Sequence, residues 1–159
     1  MRLKSTLFLK IAVILIGIPV LALGIFGLLD LYKYPLNPNN HELILYPIVI
    51  GIYVTAIPFY FALYKAFKLL CYIDKSNAFS ELSVKALKNI KYCAISISIF
   101  YTTILPACML YSQKHDFPGL VIMAMVSSFT SAVIAVFAAV LQKLLKEAID
   151  IKSENDLTV

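Results

Sequence analysis

Four stretches without a charged residue constrain the fold of this chain more than any other feature of its sequence. They lie between successive Asp, Glu, Lys and Arg residues, at 11–29, 43–64, 92–113 and 117–142, and hold 19, 22, 22 and 26 residues. A helix needs roughly 20 apolar residues to cross a hydrocarbon layer about 30 Å thick. Backbone polar groups in lipid must be satisfied within the segment, and these stretches lack the alternating polarity of barrel strands. We therefore predict four transmembrane helices.

Composition excludes a water-soluble globular domain. The chain is 61% hydrophobic and 14% charged, whereas soluble domains average about 25% charged residues. The alternative for the first stretch is a cleaved signal peptide, but a signal core spans only about 7–15 residues and this run extends from Leu7 to Leu29. The predicted fold is an all-α integral membrane four-helix bundle. Its spans are placed at about 7–29, 43–70, 92–111 and 119–142, with a loop at 71–91 and a tail at 143–159.

The distribution of basic residues predicts the orientation in the membrane. Lys and Arg near the ends of transmembrane helices favour the cytoplasmic side. Twelve basic residues fall on one predicted side: Arg2, Lys4, Lys10, Lys65, Lys68, Lys75, Lys85, Lys88, Lys91, Lys143, Lys146 and Lys152. Only Lys33 and Lys114 fall on the other. Both termini and the central loop are therefore predicted to be cytoplasmic, with the lysines among anionic lipid headgroups. No nucleic-acid-binding motif accompanies the net charge of +5, so no direct contact with nucleic acid is expected.

The central loop contains the signals of a helix start. In "NAFSELSVKALKNI" (77–90), Ser80 is a good N-cap and Glu81 lies in the first turn, where the helix dipole favours an acidic residue. Apolar residues recur at helical spacing, while Lys85 and Lys88 lie on other faces. We predict an amphipathic loop helix that continues into the third membrane helix.

The C-terminal tail is predicted to extend the fourth helix beyond the membrane surface. An apolar stripe continues along it, formed by Leu141, Leu144, Leu145, Ala148 and Ile149. The polar ending "SENDLTV" predicts that the chain leaves the helix near Ser153. A stripe beyond the bilayer must cover the central loop, a second copy of the chain or another protein.

Hydroxyl and small residues predict which helices pack most tightly. The third and fourth stretches are rich in Ser, Thr and Ala, which allow close approach and hydrogen bonding between helices in lipid. The short connection "SQKHDFPG" makes these two helices antiparallel neighbours. In the second helix, Pro58 predicts a kink, and Thr55 is placed to bridge a carbonyl that the proline frees.

The residues of known catalytic and metal sites are missing. Cys71, Cys93 and Cys108 have no metal or redox spacing, and His41 beside Glu42 lacks further ligands. No phosphate-binding loop or nucleophile motif is present. The four stretches also lack Asp, Glu, Lys, Arg and His, the residues that ion pumps and proton-coupled transporters carry at bilayer depth. We expect a non-enzyme without metal or cofactor.

Two segments carry a resemblance to a known family. The stretches "FSELSVKALKNIKYC" and "LLKEAIDIKSENDLTV" resemble the YoaS-like family of small bacterial membrane proteins of unknown function. Its members look like four-helix membrane proteins with an F-S motif in the cytoplasmic loop, here Phe79–Ser80, and an acidic ending, here Glu154–Val159. The resemblance covers essentially the whole chain and implies no catalytic residue. Genes of this family commonly lie beside a small helix-turn-helix regulator, which implies a membrane partner for a transcription factor.

The leading functional hypothesis is a regulatory or sensory protein of the bacterial inner membrane. Its bundle would respond to lipid state or to a membrane-active compound, while its cytoplasmic face would hold a small regulator. The predicted docking residues are Phe79, Ser80, Glu81, Lys85, Lys88, Glu154, Asp156 and Leu157.

Two other hypotheses remain at this stage. A small transport or immunity-type protein would have a polar cavity lined by Ser96, Thr102, Ser127 and Thr130, with a hinge at Pro58. A subunit that only stabilises a larger membrane complex, including a homo-oligomer, is not separated from the leading hypothesis by sequence.

Overall fold

The part of the chain that the structure describes consists of four long α-helices. The computed structural model describes residues 2–33, 45–75 and 78–157. The helices are α1 (Arg2–Lys33), α2 (Leu45–Asp74), α3 (Glu81–His115) and α4 (Gly119–Leu157). All four are long and apolar enough to cross a membrane, which confirms the predicted all-α architecture and the four candidate spans. The depth at which each helix lies in lipid stays a prediction. Residues 34–44, with the predicted outer loop and the His41–Glu42 pair, lie outside the described residues.

The ends of α3 show how local sequence sets the helix boundaries. Ser80 has an extended backbone (φ −142°, ψ 160°), and its side chain accepts a hydrogen bond from the Ser83 N–H, as predicted for an N-cap. At the other end, Asp116 adopts a left-handed conformation with φ 52°, and its backbone N–H donates to the carbonyl of Ser112. The chain therefore turns within three residues, 116–118, before α4 begins.

The four helices form an open row. The α3–α4 interface is the most extensive, followed by α2–α3 and then α1–α2. The prediction that the third and fourth helices form the tightest pair is confirmed. Among the described residues, no other pair of helices shares more than a marginal contact, so α1 and α4 do not close the bundle into a ring. Protein neighbours bury few side chains, and most large apolar side chains are exposed on the outside, where a bilayer would solvate them.

A proline lies inside each of α1, α2 and α3 without ending the helix. Pro58 has no N–H, so the carbonyl of Val54 loses its usual partner four residues ahead. The predicted bridge from Thr55 to a freed carbonyl is wrong, because its hydroxyl donates to the carbonyl of Ile52 at 2.8 Å. The same hydroxyl lies 3.2 Å from the hydroxyl of Tyr101 on α3, so this side chain joins α2 to α3. The kink at Pro58 stays a prediction.

The α1–α2 interface follows a seven-residue repeat that the sequence analysis missed. The Tyr60 hydroxyl donates to the Gly17 carbonyl at 2.9 Å, and the Tyr53 hydroxyl donates to the Gly24 carbonyl at 2.8 Å. Seven residues separate the two tyrosines and the two glycines, so one antiparallel register accounts for both hydrogen bonds. A glycine at each site leaves the backbone carbonyl open to a long side chain from the facing helix.

The same register continues to the ends of both helices. The Lys10 ammonium lies 5.6 Å from the centre of the Phe67 ring, seven residues beyond the Gly17–Tyr60 pair on each helix. Asp74, seven residues farther along α2, accepts hydrogen bonds from Lys10 and Thr6. A repeat of seven is typical of helices that pack nearly parallel to one another with a slight left-handed supercoil.

Candidate functional site

One end of the helix row carries all the residues predicted to dock a partner. The Lys10–Asp74 contact aligns the start of α1 with the end of α2, and antiparallel pairing aligns the start of α3 with the end of α4. This end holds the twelve basic residues counted above, and we call it the lysine-rich end. Its orientation relative to the two sides of a membrane stays a prediction.

The first turns of α3 are anchored on one face. Ser83, Val84, Ala86 and Leu87 are buried, so this part of the helix packs against the rest of the protein. The predicted loop helix is the N-terminal part of α3 itself, because α3 runs without interruption from Glu81 to His115. Residues 78–80, the described residues just before it, contain no separate helix.

Four of the eight predicted docking side chains lie exposed at or just before these turns. Phe79, Glu81, Lys85 and Lys88 are exposed. We call these four residues the basic patch, since Lys85 and Lys88 outnumber the single carboxylate. Ser80 is half-buried, and its hydroxyl is used as the helix cap, which gives it a structural role.

The C-terminal tail is helical farther than predicted. The expectation that the chain leaves the helix near Ser153 is wrong, because α4 continues to Leu157. No glycine or proline occurs between Leu120 and Leu157, so nothing in the backbone forces the helix to stop earlier. All residues from 150 to 157 are exposed, and Leu157 exposes 83% of its surface. Thr158 and Val159 lie outside the described residues.

The end of α4 is acidic and extends past α3. Residues 150–157, here called the acidic tip, contain the carboxylates Asp150, Glu154 and Asp156 and one basic residue, Lys152. Lys91 and Ala139 line the same groove between α3 and α4, and this register places the start of α3 near residue 149. At 1.5 Å per residue, the acidic tip then extends about 12 Å beyond the first turn of α3. The predicted docking residues therefore form two patches of opposite charge at one end.

Hydroxyl groups join α3 to α4 inside the predicted membrane layer. The Thr102 hydroxyl lies 2.7 Å from the Ser128 hydroxyl, and the Ser98 hydroxyl donates to the Ser128 carbonyl at 3.1 Å. The Ser128 hydroxyl is also 3.3 Å from the Ser98 carbonyl. These three residues form one interhelical cluster that satisfies its own donors and acceptors, as expected for polar side chains in lipid.

The groove beside this cluster is apolar. It has a volume of about 350 Å³, and Ser98 is the single hydroxyl residue among the eight that line it. Of the residues predicted to form a polar cavity, Ser96 donates to the carbonyl of Tyr92 at 2.9 Å and Thr130 is exposed. The structure does not gather Ser96, Thr102, Ser127 and Thr130 around this groove, which contains none of them.

Reactive groups are dispersed in the part of the chain that the structure describes. Within residues 2–33, 45–75 and 78–157, no three His, Cys, Asp or Glu side chains lie together in an arrangement that could hold a metal ion. Cys71, Cys93 and Cys108 are free thiols, and the last two are buried.

Comparisons with known proteins agree with a membrane protein. The family described as "Protein of unknown function (DUF2975)" matches residues 32–159. The chain is also similar to the uncharacterized membrane protein YoaS of Bacillus subtilis (strain 168), with 63% identity over 161 residues that cover all of both chains. No solved structure matches the chain.

Proposed function

The chain belongs to the DUF2975 family of unknown function, and on that premise we propose that it is a non-enzymatic regulatory membrane protein that holds a cytoplasmic partner. It lies in the bacterial inner membrane with both termini in the cytoplasm. The strong bias of basic residues toward the lysine-rich end supports this orientation. The two ends of the chain then emerge into the same compartment as the partner.

The observation that carries the proposal is the exposed acidic tip. The helix continues about 12 Å past the first turn of α3, its last two turns are rich in carboxylates, and every residue from 150 to 157 is exposed. Exposed Ile151 and Leu157 add apolar area to it. Acidic side chains around apolar anchors suit a partner whose own surface is basic, since complementary charge guides association.

The partner that fits this surface is a small helix-turn-helix regulator. DNA-binding domains carry a basic face that contacts phosphates, and the acidic tip offers that face an alternative anionic surface. The resemblance to the YoaS-like family implies the same class of partner. In this proposal, binding to the acidic tip restrains the regulator at the membrane and competes with its binding to DNA.

The transport alternative has less support. A transport route would need polar groups facing a cavity, but the α3–α4 groove is apolar and the hydroxyls at its edge bond to one another. No specific observation favours a transported substrate, so the regulatory function is the one retained.

The test is co-purification with a small helix-turn-helix regulator of the class that the resemblance to the YoaS-like family implies. We would express the full-length protein and a triple variant, Asp150→Asn, Glu154→Gln and Asp156→Asn, which removes the charge of the acidic tip and keeps its size. We expect the variant to capture at least tenfold less regulator from solubilised membranes, because several charge pairs are lost together. Glu147→Gln, an exposed carboxylate two residues before Ile149, is the control and should capture as much as the unmodified protein.

The outcome that would contradict the proposal is equal capture by the triple variant and the unmodified protein. A variant that fails to reach the membrane would be recognised by its absence from the membrane fraction. In that case, truncation after Ile149 provides the second measurement, because it keeps the part of α4 that faces α3.

A further inference from the structure

The groove between α3 and α4 is shaped for a chain-like apolar molecule. It is open to the outside of the helix row and is lined by Ile95, Ile99, Ala132, Ala135, Val136 and Ala139 together with Ser98 and Lys91. The three alanines have short side chains, so this face of α4 leaves a volume of about 350 Å³ unfilled beside α3. From Lys91 to Ser98 the groove runs about 10 Å along α3, at 1.5 Å per residue.

Basic residues lie at the end of the groove that is nearest the start of α3. Lys91 is the single charged residue that lines it, and it directly precedes the charge-free stretch 92–113. Its ammonium lies 4.9 Å from the centre of the Tyr92 ring, and the ammonium of Lys88 lies 6.0 Å from the same ring. Two cations and an aromatic ring therefore meet at the start of the charge-free stretch, where the predicted span places the lipid headgroups, and the rest of the groove lies along the predicted hydrocarbon layer.

We propose that this groove binds an anionic phospholipid of the bilayer, with one acyl chain in the groove and the phosphate beside Lys91. Basic sites between transmembrane helices at the headgroup level bind anionic lipid headgroups. The apolar lining suits an acyl chain, and no carboxylate lines the groove to repel a phosphate. The inference needs a chain that spans a membrane but does not depend on a regulatory partner.

The chain contains no tryptophan, so one introduced tryptophan reports on its own surroundings. Val136 lines the groove and is 62% exposed, whereas Phe137, the next residue, does not line the groove and is 64% exposed. Val136→Trp and Phe137→Trp therefore place the same reporter at nearly the same depth on two faces of α4. Each full-length variant is reconstituted in bilayers of phosphatidylcholine and phosphatidylglycerol, with bromine quenchers on the acyl chains of one lipid or the other.

We expect brominated phosphatidylglycerol to quench Val136→Trp more than its mole fraction predicts. The ratio of phosphatidylglycerol to phosphatidylcholine beside the tryptophan should be about fivefold higher than in the bulk bilayer. That factor corresponds to the roughly 1 kcal/mol that one basic side chain contributes near an anionic lipid. Phe137→Trp should show no preference between the two lipids. Lys91→Gln added to Val136→Trp should abolish the enrichment, whereas Lys65→Gln, which removes a charge from α2 at the same end, should leave it unchanged.

Three results would overturn the proposal. Equal quenching of Val136→Trp by both lipids would mean that the groove accepts acyl chains without regard to the headgroup. Weak quenching of Val136→Trp by both brominated lipids would mean that protein, such as a second copy of the chain, covers the groove. Enrichment that survives Lys91→Gln would mean that the site recognises something other than this charge.

Discussion

The α1–α2 and α3–α4 interfaces join neighbouring antiparallel helices by different means. Between α3 and α4, small side chains such as Ala135 and Ala138 are buried, and the interface extends along most of both helices. Between α1 and α2, two tyrosines reach across to backbone carbonyls beside glycines, and one ion pair joins the ends. No residue in the most apolar part of α1 is buried by protein.

This difference indicates which pairs of helices are held together most firmly. Close backbone packing produces many weak contacts that a single polar substitution does not remove. An interface that depends on a few long polar side chains loses a large share of its contacts with each substitution. We therefore expect α3–α4 to be the stable pair and α1 to be the helix that separates first.

The largest expected effect on the free energy of unfolding comes from placing a larger side chain in the α3–α4 interface. Ala138 is 4% exposed, and Ala138→Leu adds three carbon atoms where α4 packs most closely. Overpacking of this kind costs about 1–3 kcal/mol. The free energy of unfolding in detergent should fall by that amount. Val140→Phe, which adds four carbon atoms at an exposed position of α4 outside the groove, is the control and should change it by less than about 0.5 kcal/mol. Equal effects of the two substitutions would mean that the α3–α4 contact is not close-packed.

A smaller effect is expected from the hydroxyl groups that join α2 to α1. Tyr60→Phe keeps the ring and removes the hydrogen bond to the Gly17 carbonyl. Hydrogen bonds between membrane helices contribute about 0.6 kcal/mol on average, so Tyr60→Phe should lower the free energy of unfolding by about that value. Tyr64→Phe is the matched control, since Tyr64 is exposed one turn farther along α2. If both variants behave alike, the seven-residue repeat does not stabilise the α1–α2 interface.

The smallest effect on global stability is expected from the ion pair at the lysine-rich end. Asp74→Asn removes the charge that Lys10 pairs with, but the asparagine keeps the size of the side chain and an oxygen that can accept from Lys10 and Thr6, so the loss of global stability should be small. The change should instead be local, as faster amide hydrogen exchange in the first two turns of α1. Lys10→Gln should have the same effect, and the double variant should exchange no faster than either single one. Additive effects in the double variant would show that the two side chains act separately.

Local signals in the sequence were sufficient for the helices and for the cap of α3. The length of each charge-free stretch predicted a helix, and Ser80 with Glu81 predicted where α3 begins. Each of these features lies within one continuous segment of the chain, and the cap depends on residues within a single turn. The polar ending wrongly predicted an end of α4 near Ser153, because polar residues do not stop a helix when neither glycine nor proline interrupts it.

The docking residues were predicted to form one surface, but in the structure they lie on two, the basic patch and the acidic tip. Sequence identified Lys85, Lys88, Glu154 and Asp156 as polar residues at the same end, and the structure exposes all four. The register between α3 and α4 decides that the acidic tip extends past the basic patch. That register depends on side chains far apart in the chain, such as Ser98 and Ser128, and cannot be obtained from either segment alone.

By itself, the sequence determined that this protein is a set of four apolar helices, because lipid leaves a long uncharged segment no other way to satisfy its backbone. The tertiary structure alone decided which faces of those helices meet. In a bilayer, apolar side chains gain little from leaving lipid for protein, so hydrophobic pattern does not select partners. Shape and a few polar contacts select them, and both require the helices to be in place.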